Sequence, residues 1–225
     1  MATLNARAWL ALGMLAAVVA ALLFVPAGTL LYWQAWIYLA IFIGASALTM
    51  VDLMRRDPAL LQRRMSGGPL AEKRPAQRLI MLCASICFIA LLVVPAVDRR
   101  VGWSAVPFVA VVAGDALVAS GFALILRVYR ENTFTAATVE IAPDHKLIST
   151  GPYAIVRHPM YTGGLLYIFG TPLALASWWG FVPIVVMLPV LIWRLLDEER
   201  LLAGSLPGYV DYQKGVRYRL VPFVW

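Results

Sequence analysis

The chain has 225 residues, 62% of them hydrophobic and only 14% charged, against roughly 45–50% apolar and about 25% charged in an ordinary soluble domain. That apolar excess excludes a water-soluble globule and calls for lipid. The formal charge of +7 does not indicate nucleic acid, because the basic residues lie between apolar runs and not along one groove or amphipathic face.

A spanning helix needs about 20 apolar residues. The apolar runs predict spans at 8–26, 32–53, 79–97 and 104–127, then a tight pair at 161–177 and 181–196. The expected fold is an all-α, polytopic transmembrane bundle of five or six spans. It forms a single integral membrane domain, with N-terminal helices over 1–127 and a C-terminal region over 128–225 that holds the longer polar segments. The first run follows Arg7 as a signal peptide would, but it is longer than a usual h-region and further spans follow, so it reads as a retained helix. Between spans two and three lies a basic stretch, 55–78, broken at Gly67, Gly68 and Pro69; its DPALLQRR portion predicts a short interfacial helix. Cys83 and Cys87 are four apart on one helical face, with no disulfide framework around them, and read as packing residues. Asp115 sits inside the fourth span beside Gly114. It is either a functional carboxylate, such as a proton relay, or a hydrogen-bond partner for a neighbouring helix.

Positive charge marks the cytoplasmic side. With six spans and both termini inside, only Arg99 and Arg100 of the 19 Lys and Arg residues fall on the far side. The N- and C-termini are therefore expected to be cytoplasmic. The two polar segments, 128–160 and 197–225, then share that side, and chemistry is expected where they meet.

The densest polar cluster is GPYAIVRHPMYTGG, Gly151 to Gly164. Pro159 pushes His158 out of helical geometry, so the next helix should begin at or just after Pro159. Its first backbone N–H groups would be free to meet a polar ligand, and Gly163 and Gly164 would let a ligand or another helix approach. The alternative is that Arg157 and His158 are interfacial anchors and Gly163–Gly164 a packing notch. A second cluster, WRLLDEER, ends the last span; Arg194 and Glu198 share a helix face. Charges entering the bilayer edge together suggest a ligand site, the alternative being an intrahelical ion pair. Glu199 and Arg200 read as a solvated continuation. Histidine occurs only at 145 and 158, and no spacing supplies three or four metal ligands, so no metal site is expected.

The run HKLISTGPYAIVRHPMYTGG, the hairpin after it and EERLLAGSLPGYVDYQKGVRYRLVP together resemble the isoprenylcysteine carboxyl methyltransferase family of membrane enzymes. The resemblance covers roughly residues 130–222. It implies an S-adenosylmethionine-dependent methyltransferase whose cofactor is enclosed by the C-terminal half at the cytosolic boundary. On that resemblance, His145, Leu147 and Ile148 lie along the cofactor, Tyr153, His158, Pro159, Tyr161 and Gly163 close around it, and Glu198 binds it. Arg194 faces the methyl acceptor, with Arg157 nearby. A carboxylate and aromatic faces suit a sulfonium, and a guanidinium suits an acceptor carboxylate. The implied acceptor is a lipophilic small molecule or lipidated group delivered through membrane lipids. The segment LPGYVDY, with Tyr209 and Tyr212, is shorter than the family's usual form.

Two other readings remain. VRYRLVPFVW also resembles the end of NADPH-dependent sterol reductases, in which Arg217 and Arg219 would meet the extra phosphate. A transporter or scaffold would instead use Asp115 and the glycine-containing helices.

Overall fold

Apolar runs become helices in lipid because every backbone N–H and C=O must then be satisfied within the segment. The computed structural model describes residues 2–67, 75–135 and 146–225. Among those residues it contains helices only: α1 Ala2–Ala27, α2 Trp33–Arg56, α3 Pro58–Met65, α4 Pro75–Val101, α5 Phe108–Glu131, α6 Pro159–Ala174, α7 Val182–Ser205 and α8 Tyr209–Gly215. Five of them (α1, α2, α4, α5 and α7) are long and apolar enough to cross a membrane. The chain is an integral membrane protein.

The short helix expected in DPALLQRR forms as α3. Asp57 starts it by accepting the Leu60 N–H at 2.9 Å, and Pro58 occupies the first turn, where its missing N–H costs nothing. Cys87 is buried in the apolar core, where it packs with Leu91, Ile168, Ile184 and Met187.

The sixth long helix, α6, is shorter than expected. Its 16 residues measure about 24 Å at 1.5 Å per residue, less than the roughly 30 Å of a hydrocarbon core. Its C-terminus closes early: Ala176 takes a left-handed conformation (φ 53°), the Ser177 N–H reaches back to Pro172 O at 2.9 Å, and the Ala176 N–H to Leu173 O at 2.9 Å. This six-to-one, five-to-two closure stops a helix. Ser177 is then free to donate its hydroxyl to buried Asp98 near the end of α4. Asp98 also accepts the Ser104 N–H at 2.9 Å and the Ser104 hydroxyl at 2.5 Å. The carboxylate thereby latches the α6–α7 turn to the end of α4.

Helices α5 and α6 run antiparallel in glycine-to-glycine contact. A Cβ on Gly114 would sit 2.7 Å from Gly170 O and 2.3 Å from Ala174 N, and one on Gly121 would sit 2.5 Å from Gly163 O. Small residues at such crossings replace the hydrophobic drive that lipid removes. Inside the bundle, Phe42, Phe88, Phe122 and Tyr167 bring α2, α4, α5 and α6 together. Tyr38 shares a 3.2 Å hydrogen bond with Thr171, and Tyr32 donates to Leu175 O at 2.6 Å.

The long helices alternate between two ends. Asp98 and the α6–α7 turn mark one end. At the other, Ala8 of α1 packs with Met50, Leu53, Leu60 and Tyr129, beside the starts of α4 and α6 and the charged end of α7.

Candidate active site

The site forms at that second end, where the segment before α6 meets the C-terminal tail. Pro159 opens α6 as the sequence requires, and His158 is held at φ −125°, ψ 63°. With no helix to satisfy them, the Arg157 and His158 N–H groups bond to Tyr218 O and Arg219 O, each at 2.9 Å. Thr162 adds a hydroxyl bond to Leu220 O at 2.8 Å. The tail is thus laid across the start of α6.

One carboxylate fixes this junction, and the sequence reading misplaced it. Glu199 is not a solvated continuation of α7: it is 5% exposed. Its Oε1 lies 2.9 Å from Arg157 Nε and 3.2 Å from His158 Nε2, and its Oε2 accepts from Arg219 Nε at 2.9 Å. Arg157 and His158 are themselves 8% and 5% exposed, so the three partners offset the cost of burying the charge. Position 199 lies one residue past the Arg194–Glu198 face, and that 100° rotation turns it from the cavity toward the tail. Arg200, the next residue, is exposed as expected.

Beneath the junction is a cavity of about 460 Å³, within the roughly 300–1,000 Å³ of small-molecule sites. Of the residues singled out from sequence, Leu147, Ile148, Tyr153, Arg157, His158, Pro159, Tyr161, Arg194 and Glu198 all line it. Two do not join them. Gly163 faces α5, where an added Cβ would meet Ile125 Cγ1 at 2.8 Å and Gly121 O at 2.9 Å; its neighbour Gly164 lines the cavity, with open space around it. His145 lies outside the described residues. The walls are also not confined to the C-terminal half: Arg64 of α3 and Met81 and Ala84 of α4 contribute.

The polar groups around the cavity are arranged in pairs. Tyr161 donates to Glu198 Oε2 at 2.7 Å, and its ring meets His158 edge to face at 5.7 Å. Asn132 donates to the Tyr153 hydroxyl at 3.0 Å, while Tyr212 donates to Tyr153 O at 2.7 Å. Tyr209 is 3% exposed, and its hydroxyl has no hydrogen-bond partner. Burial raises the Tyr153 and Tyr209 hydroxyls above their ordinary range. It raises Tyr212 to about 12 against the pull of Arg157. These phenols are neutral donors at physiological pH. Arg64 lies 5.2 Å over the Tyr129 ring, and Arg194 donates to Gln77 Oε1 at 3.0 Å. Sequence reasoning singled out neither Arg64, Gln77 nor Asn132, because no local spacing ties them to the cluster. Tyr209 and Tyr212, three apart on the short α8, carried the available signal.

Asp115 lies apart from this assembly, on α5 near Gly114, and one carboxylate oxygen has no hydrogen-bond partner. No group of three or more His, Cys, Asp or Glu side chains that could hold a metal occurs among the described residues.

Long apolar helices that close a largely apolar, aromatic-walled cavity at one end, under a folded-back tail, define an integral membrane protein with a candidate small-molecule site at that end. Residues 109–206, from the start of α5 to the end of α7, match the family model for phospholipid methyltransferases. No curated protein matches the chain.

Proposed function

We propose that the protein transfers a methyl group from S-adenosylmethionine to a lipophilic acceptor reaching the site from the bilayer, with cofactor and acceptor meeting between Arg157–His158 and Arg194–Glu198. The observation that carries this reading is the shared cavity: the α7 face bearing Arg194 and Glu198 and the α6 start bearing His158 and Tyr161 line one space. The residues present fit the cofactor. Glu198, beside aromatic faces, offers a carboxylate for a sulfonium, and the unpartnered Tyr209 hydroxyl is a buried donor suited to a polar ligand group. Leu147, Ile148 and Tyr153 would flank the remainder.

When bound, S-adenosylmethionine supplies an electrophilic methyl group. The chain supplies positioning and exclusion of water, and good alignment alone can lower such a barrier by roughly 7–11 kcal/mol. Tyr161 fixes Glu198. Glu199 holds Arg157 and His158 against the tail. Arg194 offers a guanidinium for an acceptor anion, and an acceptor carboxylate, already ionised at neutral pH, needs no base. An amine or hydroxyl acceptor would need one, and His158 and Glu199, which face each other at 3.2 Å, are the nearest candidates. The site end is assigned to the cytoplasm by its basic residues.

The reductase alternative is weakened by Arg219, whose Nε is bound to Glu199 and whose guanidinium lies 5.2 Å over the Trp225 ring. The deciding experiment is calorimetric titration of detergent-purified protein with S-adenosylhomocysteine and with NADPH. Binding of the former, lost in Glu198→Ala, is the expected result. Binding of NADPH alone, or of neither, would overturn the proposal.

A further inference from the structure

One of the side chains that hold Arg194 comes from the N-terminal half. Gln77, in the first turn of α4, is fully buried and does not line the cavity. Its amide oxygen accepts from Arg194 Nη1 at 3.0 Å, and its amide nitrogen donates to Asp197 Oδ2 at 2.5 Å. Arg194 and Asp197 are three apart on α7 and project to the same side, so one amide from α4 bridges a cation and an anion of α7. This polarity fixes the amide: its oxygen faces the guanidinium and its nitrogen the carboxylate.

A carboxylate at position 77 could also hold the guanidinium, but it would add a negative charge beside it and face Asp197 with no proton to donate. A neutral amide restrains Arg194 without adding that charge. Arg64 of α3, another cation lining the same space, is oriented differently, over the Tyr129 ring.

We infer that Gln77 is a positioning residue that holds Arg194 to receive the anionic end of a lipophilic acceptor, a carboxylate or a phosphate. The inference rests on the methyltransferase reading for the identity of the acceptor site. Gln77 touches neither cofactor nor acceptor and acts through Arg194.

The test is calorimetric binding of dodecanoate and of dodecyl phosphate, each in neutral detergent, to the full chain saturated with S-adenosylhomocysteine, with dodecylamine as the cationic control. Wild type is expected to bind at least one anion and to bind the amine more weakly; which anion binds more tightly identifies the acceptor class. Losing one hydrogen bond to a charged group should weaken anion binding about tenfold in Gln77→Leu, with S-adenosylhomocysteine affinity unchanged. Gln77→Glu, which keeps the shape but adds a negative charge beside the guanidinium, should weaken anion binding at least as much and leave dodecylamine unaffected. In an Arg194→Lys background, Gln77→Leu should have little further effect on anion binding, even where it lowers thermal stability.

Three results would overturn the inference. In the first, neither anion binds wild-type protein that does bind S-adenosylhomocysteine. In the second, anion affinity is unchanged in Gln77→Leu. In the third, the effects of Gln77→Leu and Arg194→Lys simply add. Failure of wild type to bind S-adenosylhomocysteine would instead refute the methyltransferase reading itself.

Discussion

Glu199→Gln is the substitution that separates holding the site together from binding its ligands. The glutamine keeps the size and one acceptor oxygen but removes the charge that faces Arg157, His158 and Arg219 at 2.9, 3.2 and 2.9 Å. Arg157 is then left as a cation that is 8% exposed, and removing one partner of a buried pair costs about 3–5 kcal/mol. The Arg219 contact is partly solvated, with 31% of that side chain exposed, so its loss adds a smaller increment of roughly 0–1 kcal/mol. The expected outcome is a large drop in thermal unfolding temperature in detergent, together with earlier proteolysis of the 218–225 tail, which is laid on Arg157 and His158. Glu198→Gln should give the opposite signature: S-adenosylhomocysteine binding weakens while the ligand-free unfolding temperature stays near wild type. Wild-type stability in Glu199→Gln, or an equal stability loss in both variants, would refute the division of roles between these adjacent carboxylates.

The neighbouring glycines should separate in the same way. Gly121→Ala would force a Cβ to 2.5 Å from Gly163 O and should destabilise by about 1–3 kcal/mol, read as a lowered unfolding temperature. Gly164→Ala meets nothing within 4 Å, so it should leave folding intact and change only ligand affinity, measured by calorimetry. Asp98→Ala leaves the Ser104 N–H and two hydroxyls without their acceptor. It should lower thermal stability by about 1–3 kcal/mol with no change in S-adenosylhomocysteine affinity, since it acts at the opposite end of the bundle. Tyr161→Phe removes the 2.7 Å bond that fixes Glu198 and should weaken cofactor binding about tenfold, read in the same titration.

Much of this protein could be read from its chain without coordinates. Lipid imposes helices on apolar runs, so the six long elements follow from hydropathy, although α7 continues past the expected end at 196 to Ser205. Pro159 fixes where α6 begins, and Asp57–Pro58 fixes where α3 begins, because both act within one turn of backbone. The Arg194–Glu198 face is likewise local, set by the four-residue helical repeat.

Tertiary structure decided whatever depended on a partner distant in sequence. Glu198 and Glu199 are equivalent by composition. Only the placement of the tail across α6 made one a cavity wall and the other a buried hub. Gly163 and Gly164 parted for a similar reason: α5 arrived on one side of α6 only. The early stop of α6 reflects the left-handed turn at Ala176, which no glycine advertised. Gln77 lies 117 residues from Arg194, and Arg64 entered the wall by way of α3. Local sequence fixes backbone periodicity and the rotation of each side chain about its own helix. Which of those faces meets another depends on packing among all the helices at once.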